Sequence, residues 1–175
     1  MLFAESRRPA RRDRGGAYVP LSLQNVALWD LALIGEAEAR LQAASAAGRL
    51  GRFQLEAAIQ SVHATRSITG RTDWDAIVGL YDGLIALTGS PVAAINRAVA
   101  LAEAGDPPAG LSSLAEVEAK AGMVQYQPYW AAKAELAARC GDPVAADAAY
   151  ASAIGLSTDP AVREFLNARR QALRN

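Results

Sequence analysis

The chain has 175 residues, 51% of them hydrophobic and only 6% aromatic, with 18 basic and 18 acidic side chains. That is the size of about one domain with enough apolar content for a core, and zero net charge disfavours a surface built to hold phosphates. One cysteine, Cys140, excludes an internal disulfide framework, and no apolar run reaches the roughly 18 residues of a membrane helix, so the chain reads as cytoplasmic.

In chain order, the first segment is basic. Arg7, Arg8, Arg11, Arg12 and Arg14 stand against Glu5 and Asp13, leaving residues 21–175 with 13 basic and 16 acidic groups. Residues 1–20 read as a solvated connector or the tail of a preceding helix, and 21–175 as the folded helical domain. Residues 15–24 have extended character but no evident partner. A helix is predicted over about 25–47, carrying Val26, Trp29, Leu33, Ala37 and Leu41 before Gly48. The next covers about 53–69 with Leu55, Ile59 and Val62, and a third runs from Thr72-Asp73 to Gly89 with Ile77, Leu80, Leu84 and Leu87.

From there the punctuation is regular. Ser90-Pro91, Asp106-Pro107, Asp142-Pro143 and Asp159-Pro160 each pair a capping oxygen with a proline suited to the first helical position. Apolar residues recur every three or four positions behind each pair, and one more helix spans about 127–140 from Pro128 to Gly141. The expectation is an all-α chain of about eight helices without a convincing strand. Thr72-Asp73, Gly105-Asp106 and Gly141-Asp142 are separated by steps of 33 and 36 residues, and Tyr81, Leu114 and Tyr150 each lie nine residues beyond the turn start. This is close to the 34-residue tetratricopeptide period, so the hairpins are expected to stack as a degenerate superhelix. Trp130, Ala134, Ala146, Tyr150 and Ala153 carry the best match.

Catalytic chemistry is thinly represented. His63 is the one histidine, no Cys-x-x-Cys or glycine-rich phosphate loop occurs, and neither cofactor nor metal is expected. A nucleophilic Cys140–His63 pair is the enzymatic alternative, weakened because Cys140 falls at a helix C-terminus, where the dipole disfavours a thiolate. Asp73 and Asp75 flank Trp74 where capping accounts for them. Trp29, Trp74, Tyr81, Trp130 and Tyr150 fall on or beside apolar stripes and read as core. If the hairpins stack, their first helices line a concave surface, and His63, Arg66, Asn96, Glu103, Glu135 and Arg139 are its candidate partner-binding residues.

Particular stretches also resemble a known family. They are Trp29-Asp30 with Ile34 and Glu36; Gly51-Arg52-Phe53-Gln54-Leu55-Glu56-Ala57-Ala58-Ile59-Gln60 ending at His63-Ala64; Thr72-Asp73-Trp74 leading to Leu80-Tyr81-Asp82; and Ser90-Pro91-Val92 with Asn96-Arg97-Ala98-Val99-Ala100. In this order, from about residue 5 to 173, they are similar to the C-terminal, tetratricopeptide-like extension of extracytoplasmic-function sigma factors of RNA polymerase. The resemblance implies a regulatory role in bacterial transcription initiation, by binding to RNA polymerase or to the sigma domains of the same protein. It implies no DNA contact by this region, since the core-binding and promoter-binding domains normally precede it. Met1 to Arg11 resembles the end of a family helix entered midway, so the expectation is a fragment or shortened gene product. Where the family is acid-rich before the tryptophan, this chain has Ser22 to Leu28. A stand-alone helical-repeat adaptor with a peptide or protein in its groove is the alternative.

Overall fold

The computed structural model describes residues 1–48, 50–118 and 123–174, and no β-strand occurs among them. Eight long helices are present: α2 (Leu31–Ala46), α3 (Arg52–Ala64), α5 (Trp74–Thr88), α6 (Pro91–Glu103), α7 (Pro107–Glu118), α8 (Gln127–Arg139), α9 (Pro143–Leu156) and α10 (Pro160–Ala172). Two short ones, α1 (Leu2–Ser6) and α4 (Arg66–Thr69), complete the helical set among the described residues. The chain divides into two compact units, Met1–Gly89 and Ser90–Asn175.

The predicted caps are made. Asp73 accepts from the Ala76 amide, Ser90 from Ala93, Asp106 from Ala109, Asp142 from Ala145 and Asp159 from Ala161, and Asp30, not expected as a cap, accepts from Ala32 and Leu33, all at 2.9–3.3 Å. Each satisfies an amide that the first helical turn leaves without a carbonyl. Replacing Asp142 by alanine is expected to cost the second unit about 1 kcal/mol, read as a lower urea midpoint. An unchanged midpoint would show the cap to be redundant with Pro143.

Two boundaries differ from the prediction. The helix expected from residue 25 begins at Leu31, because Asp30 takes the first amides and Val26–Leu28 is only a 3-10 turn capped by Asn25. The helix expected to run to 69 ends at Ala64, and α4 follows as a separate turn closed by Gly70 at φ 74°. The extended piece after residue 15 also finds a partner. Tyr18 bridges back to Arg12, and the Asp13 carboxylate accepts from the Gly15 and Ala17 amides at 2.8 and 2.9 Å, folding the turn around itself.

In the first unit, α1 packs on α2 and α3, and α3 packs on α5. Phe3, Ala10, Trp29, Ile34, Ala37 and Ala64 form one buried cluster. Phe3, Ser6 and Ala10 of the first ten residues are thus buried, and Arg7 is 7% exposed rather than solvated. Arg8, Arg11, Arg12 and Arg14 are exposed.

The second unit has the hairpin arrangement expected of tetratricopeptide-type repeats. α6 pairs with α7, α8 with α9, α8 also packs on α6 and α7, and α10 covers α9. Ile95, Ala98, Ala102, Leu114, Val117, Tyr129 and Leu136 fill one cluster, and Ala134, Ala149, Tyr150, Ala153 and Leu166 a second. Tyr129 is fully buried and Trp130 only half, the reverse of the weight the repeat pattern places on Trp130. The α7 face of the hairpin includes Gly110, where a Cβ would stand 2.5 Å from the Ala98 carbonyl oxygen. That distance sets how closely α6 and α7 approach.

Candidate partner-binding surfaces

The six polar positions fall in both units, His63 and Arg66 in the first and the other four in the second. Arg66 begins α4 and is committed inward. Its guanidinium donates to the carbonyls of Leu21, Ser22 and Gln24 at 2.9–3.0 Å and lies 5.1 Å from the Trp29 ring centroid. Arg7 stacks on the same ring at 5.8 Å and donates to Gln60. One tryptophan therefore holds two guanidinium groups, an arrangement its electron-rich face favours.

Burial first, then the charges of Arg11 and Arg66, lower Arg7 to about 10, so it stays protonated at neutral pH. Among the described residues Arg7 Nη1 and Trp29 Nε1, both buried, have no hydrogen-bond partner. His63 sits in the last turn of α3, its ring edge-on to Trp74 at 5.4 Å and 77°. Burial, followed by the charges of Arg7 and Arg66, pushes it down to about 4. It is a neutral imidazole at physiological pH.

In the second unit three candidates tie helices together. Arg139 donates to Glu103 at 2.9 Å and to the Ala102 carbonyl at 2.7 Å, fastening α8 to α6. Glu135, one turn earlier, accepts from Tyr150 of α9 at 3.0 Å and from Arg169 of α10 at 2.6 Å. Burial and the Glu135 charge raise Tyr150 to about 12, keeping its hydroxyl a donor. Glu135 and Arg139 are spaced i, i+4, yet each serves a different neighbour. Asn96 is exposed on α6.

The structure brings Arg139 and Glu103 together, and puts Glu135 with two residues outside the six candidates, Tyr150, which the sequence reads as core, and Arg169. Half-exposed pairs of this kind contribute at most about 1 kcal/mol each, so their first effect is to fix helix register. The neighbouring Arg170–Asp147 pair at 2.6 Å does the same between α10 and α9. Its sequence signal, two adjacent arginines late in α10, names no partner. Among the described residues no three His, Cys, Asp or Glu side chains gather as metal ligands would, and no helix is long and apolar enough to cross a membrane. Cys140 is exposed in the second unit, whereas His63 belongs to the first.

Comparison with known proteins gives two likenesses. Residues 1–45 match a family of unknown function (DUF6596). An uncharacterized protein of Rhizobium meliloti (strain 1021) is 33% identical over 166 residues, which is 95% of this chain and 39% of that protein. The chain thus spans well under half the length of this curated relative. No solved structure matches the chain.

Proposed function

We propose that this chain is the C-terminal regulatory region of an extracytoplasmic-function RNA polymerase sigma factor, acting in the bacterial cytoplasm on transcription initiation by binding and not by catalysis. The observation that carries the reading is the ordered run of motifs resembling that family. Their residues have defined work in the fold: Trp29 is the stacking platform, Asp30, Asp73 and Ser90 cap helices, and Gln54 joins the Gly51 amide to the Ala44 carbonyl. The greater length of the Rhizobium meliloti relative accommodates the domains that such a protein needs beyond this region. RNA polymerase or the sigma domains of the same polypeptide are the partners that this reading names.

The test is a pull-down with purified RNA polymerase and the sigma domains, joined to promoter-specific transcription with and without this region. Co-purification and a transcript yield changed several-fold are expected. If neither partner binds and sigma activity is the same in both cases, the reading fails. A stand-alone adaptor is the second reading, favoured by the exposed polar Asn96 on a repeat helix. It predicts retention of a different protein on the immobilised chain, lost in Asn96→Ala.

A further inference from the structure

Two nitrogen donors inside the first unit lack an acceptor. Arg7 is 7% and Trp29 4% exposed, and among the described residues neither Arg7 Nη1 nor Trp29 Nε1 has a hydrogen-bond partner. A donor left so carries the full cost of its lost hydration, which is greatest for a charged group. The two belong to one contact, since the Arg7 guanidinium carbon lies 5.8 Å from the Trp29 ring centroid. Arg66 adds a second cation 5.1 Å from the same centroid.

The acceptors that these cations do hold are uncharged. Arg7 donates to the Gln60 amide oxygen, and Arg66 to the backbone carbonyls of Leu21, Ser22 and Gln24. Each offsets part of the dehydration and none of the charge. Stacking attracts both guanidinium groups to the indole face but also leaves their charge in place. The positive field reaches α3, where burial first, then the charges of Arg7 and Arg66, lower His63 to about 4.

What would complete the cluster has a definite chemistry. It accepts hydrogen bonds, carries negative charge and is small, because both open nitrogens are closed off from solvent. A carboxylate meets all three demands. Its two oxygens can take one N–H each, and a guanidinium hydrogen bond to an anionic oxygen is roughly twice as strong as a neutral one. Water is the competing occupant, able to accept from either nitrogen and to donate to Gln24 Oε1, which is also buried without a partner. It would satisfy the donors and leave the charge.

We propose that Arg7 and Trp29, with the charge of Arg66 beside them, form a site for a small carboxylate anion in the first unit. The anion joins α1, which Arg7 ends, to the segment leading into α2. Entry follows local opening of α1, a helix of only five residues. The site stands whether or not the function proposed above holds.

The test is a formate titration of the isotope-labelled chain at neutral pH, exchanging chloride for formate at constant ionic strength and following the indole N–H signals. Expected is a saturating downfield change at Trp29, with none at Trp130, whose Nε1 already donates to the Val124 carbonyl at 2.8 Å. Arg7→Gln should weaken binding at least about tenfold, the loss of one charge-assisted hydrogen bond. An unchanged Trp29 signal overturns the proposal and leaves water as the occupant. A response that added sodium chloride alone reproduces overturns it as ion screening. One that persists undiminished in Arg7→Gln places the anion elsewhere and overturns it equally. Far-ultraviolet circular dichroism checks that Arg7→Gln folds, and the wild-type titration decides the proposal without that variant.

Discussion

Gly110→Ala should loosen the second unit by about 2 kcal/mol, although glycine to alanine within a helix ordinarily stabilises. The added methyl would lie 2.5 Å from the Ala98 carbonyl oxygen and 3.4 Å from the Ala102 Cβ. The first neighbour is backbone, in a helix whose Ala98 and Ala102 are fully buried, so no flexible side chain can move aside. α6 and α7 must separate, opening the contacts of Ile95, Leu114 and Val117 between them. Overpacking of this kind costs about 3 kcal/mol at its upper range, and the gain in helix propensity returns about 1. Exchange of the α6 and α7 amides should accelerate by roughly thirtyfold, the equivalent of that free energy. Gly155→Ala in α9 is the control, because nothing lies within 4 Å of its added Cβ. A Gly110→Ala protein as protected as the wild type would mean that the two helices do not approach this closely.

The second large effect is acid sensitivity centred on His63. Its pKa in the folded chain is about 4, against about 6.5 in an unfolded one. A depressed folded value means that the unfolded state binds the extra proton between those two limits. Stability is therefore complete above about pH 6.5, declines as pH falls toward 4 and levels off below it. At about 1.4 kcal/mol per pH unit the loss approaches 3 kcal/mol. The position of His63 in the last turn of α3 works the other way, since a helix C-terminus favours imidazolium. That contribution is at most about 1 kcal/mol at ordinary sites, so burial and the two arginine charges prevail. Urea titrations of wild type and His63→Gln between pH 7.5 and 4 isolate the effect, because the carboxylates are common to both. The wild type should lose about 3 kcal/mol more than the variant across that range. Parallel curves would sink the assignment of a half-buried neutral imidazole.

Much of the helical order was legible from local chemistry. A cap spans only two or three residues, so Asp73, Ser90, Asp106, Asp142 and Asp159 announce themselves in sequence. Asp30 carries the same signal, but the apolar spacing of Val26, Trp29 and Leu33 runs across it and suggests an earlier start. The polar positions were harder. Arg66, Glu135 and Arg139 look like surface groups, and their partners lie 15–45 residues away in sequence, on other elements of the fold. Arg7 is the clearest case. Within a run of arginines nothing marks it as the one whose guanidinium lies against Trp29, and only the folding of α1 onto α2 selects it.

The aspartate caps bear on how a partner would sense this protein. Asp30, Asp73, Asp106, Asp142 and Asp159 are each anchored at the positive end of a helix, and Asp13 is folded into its own turn. At close range their field is partly cancelled by the amides that hold them. The exposed guanidinium groups of Arg8, Arg11, Arg12 and Arg14 belong to a segment with only two acids. An approaching molecule would meet a more positive local potential around that segment than a formal charge of zero suggests, and salt should weaken any encounter that begins there.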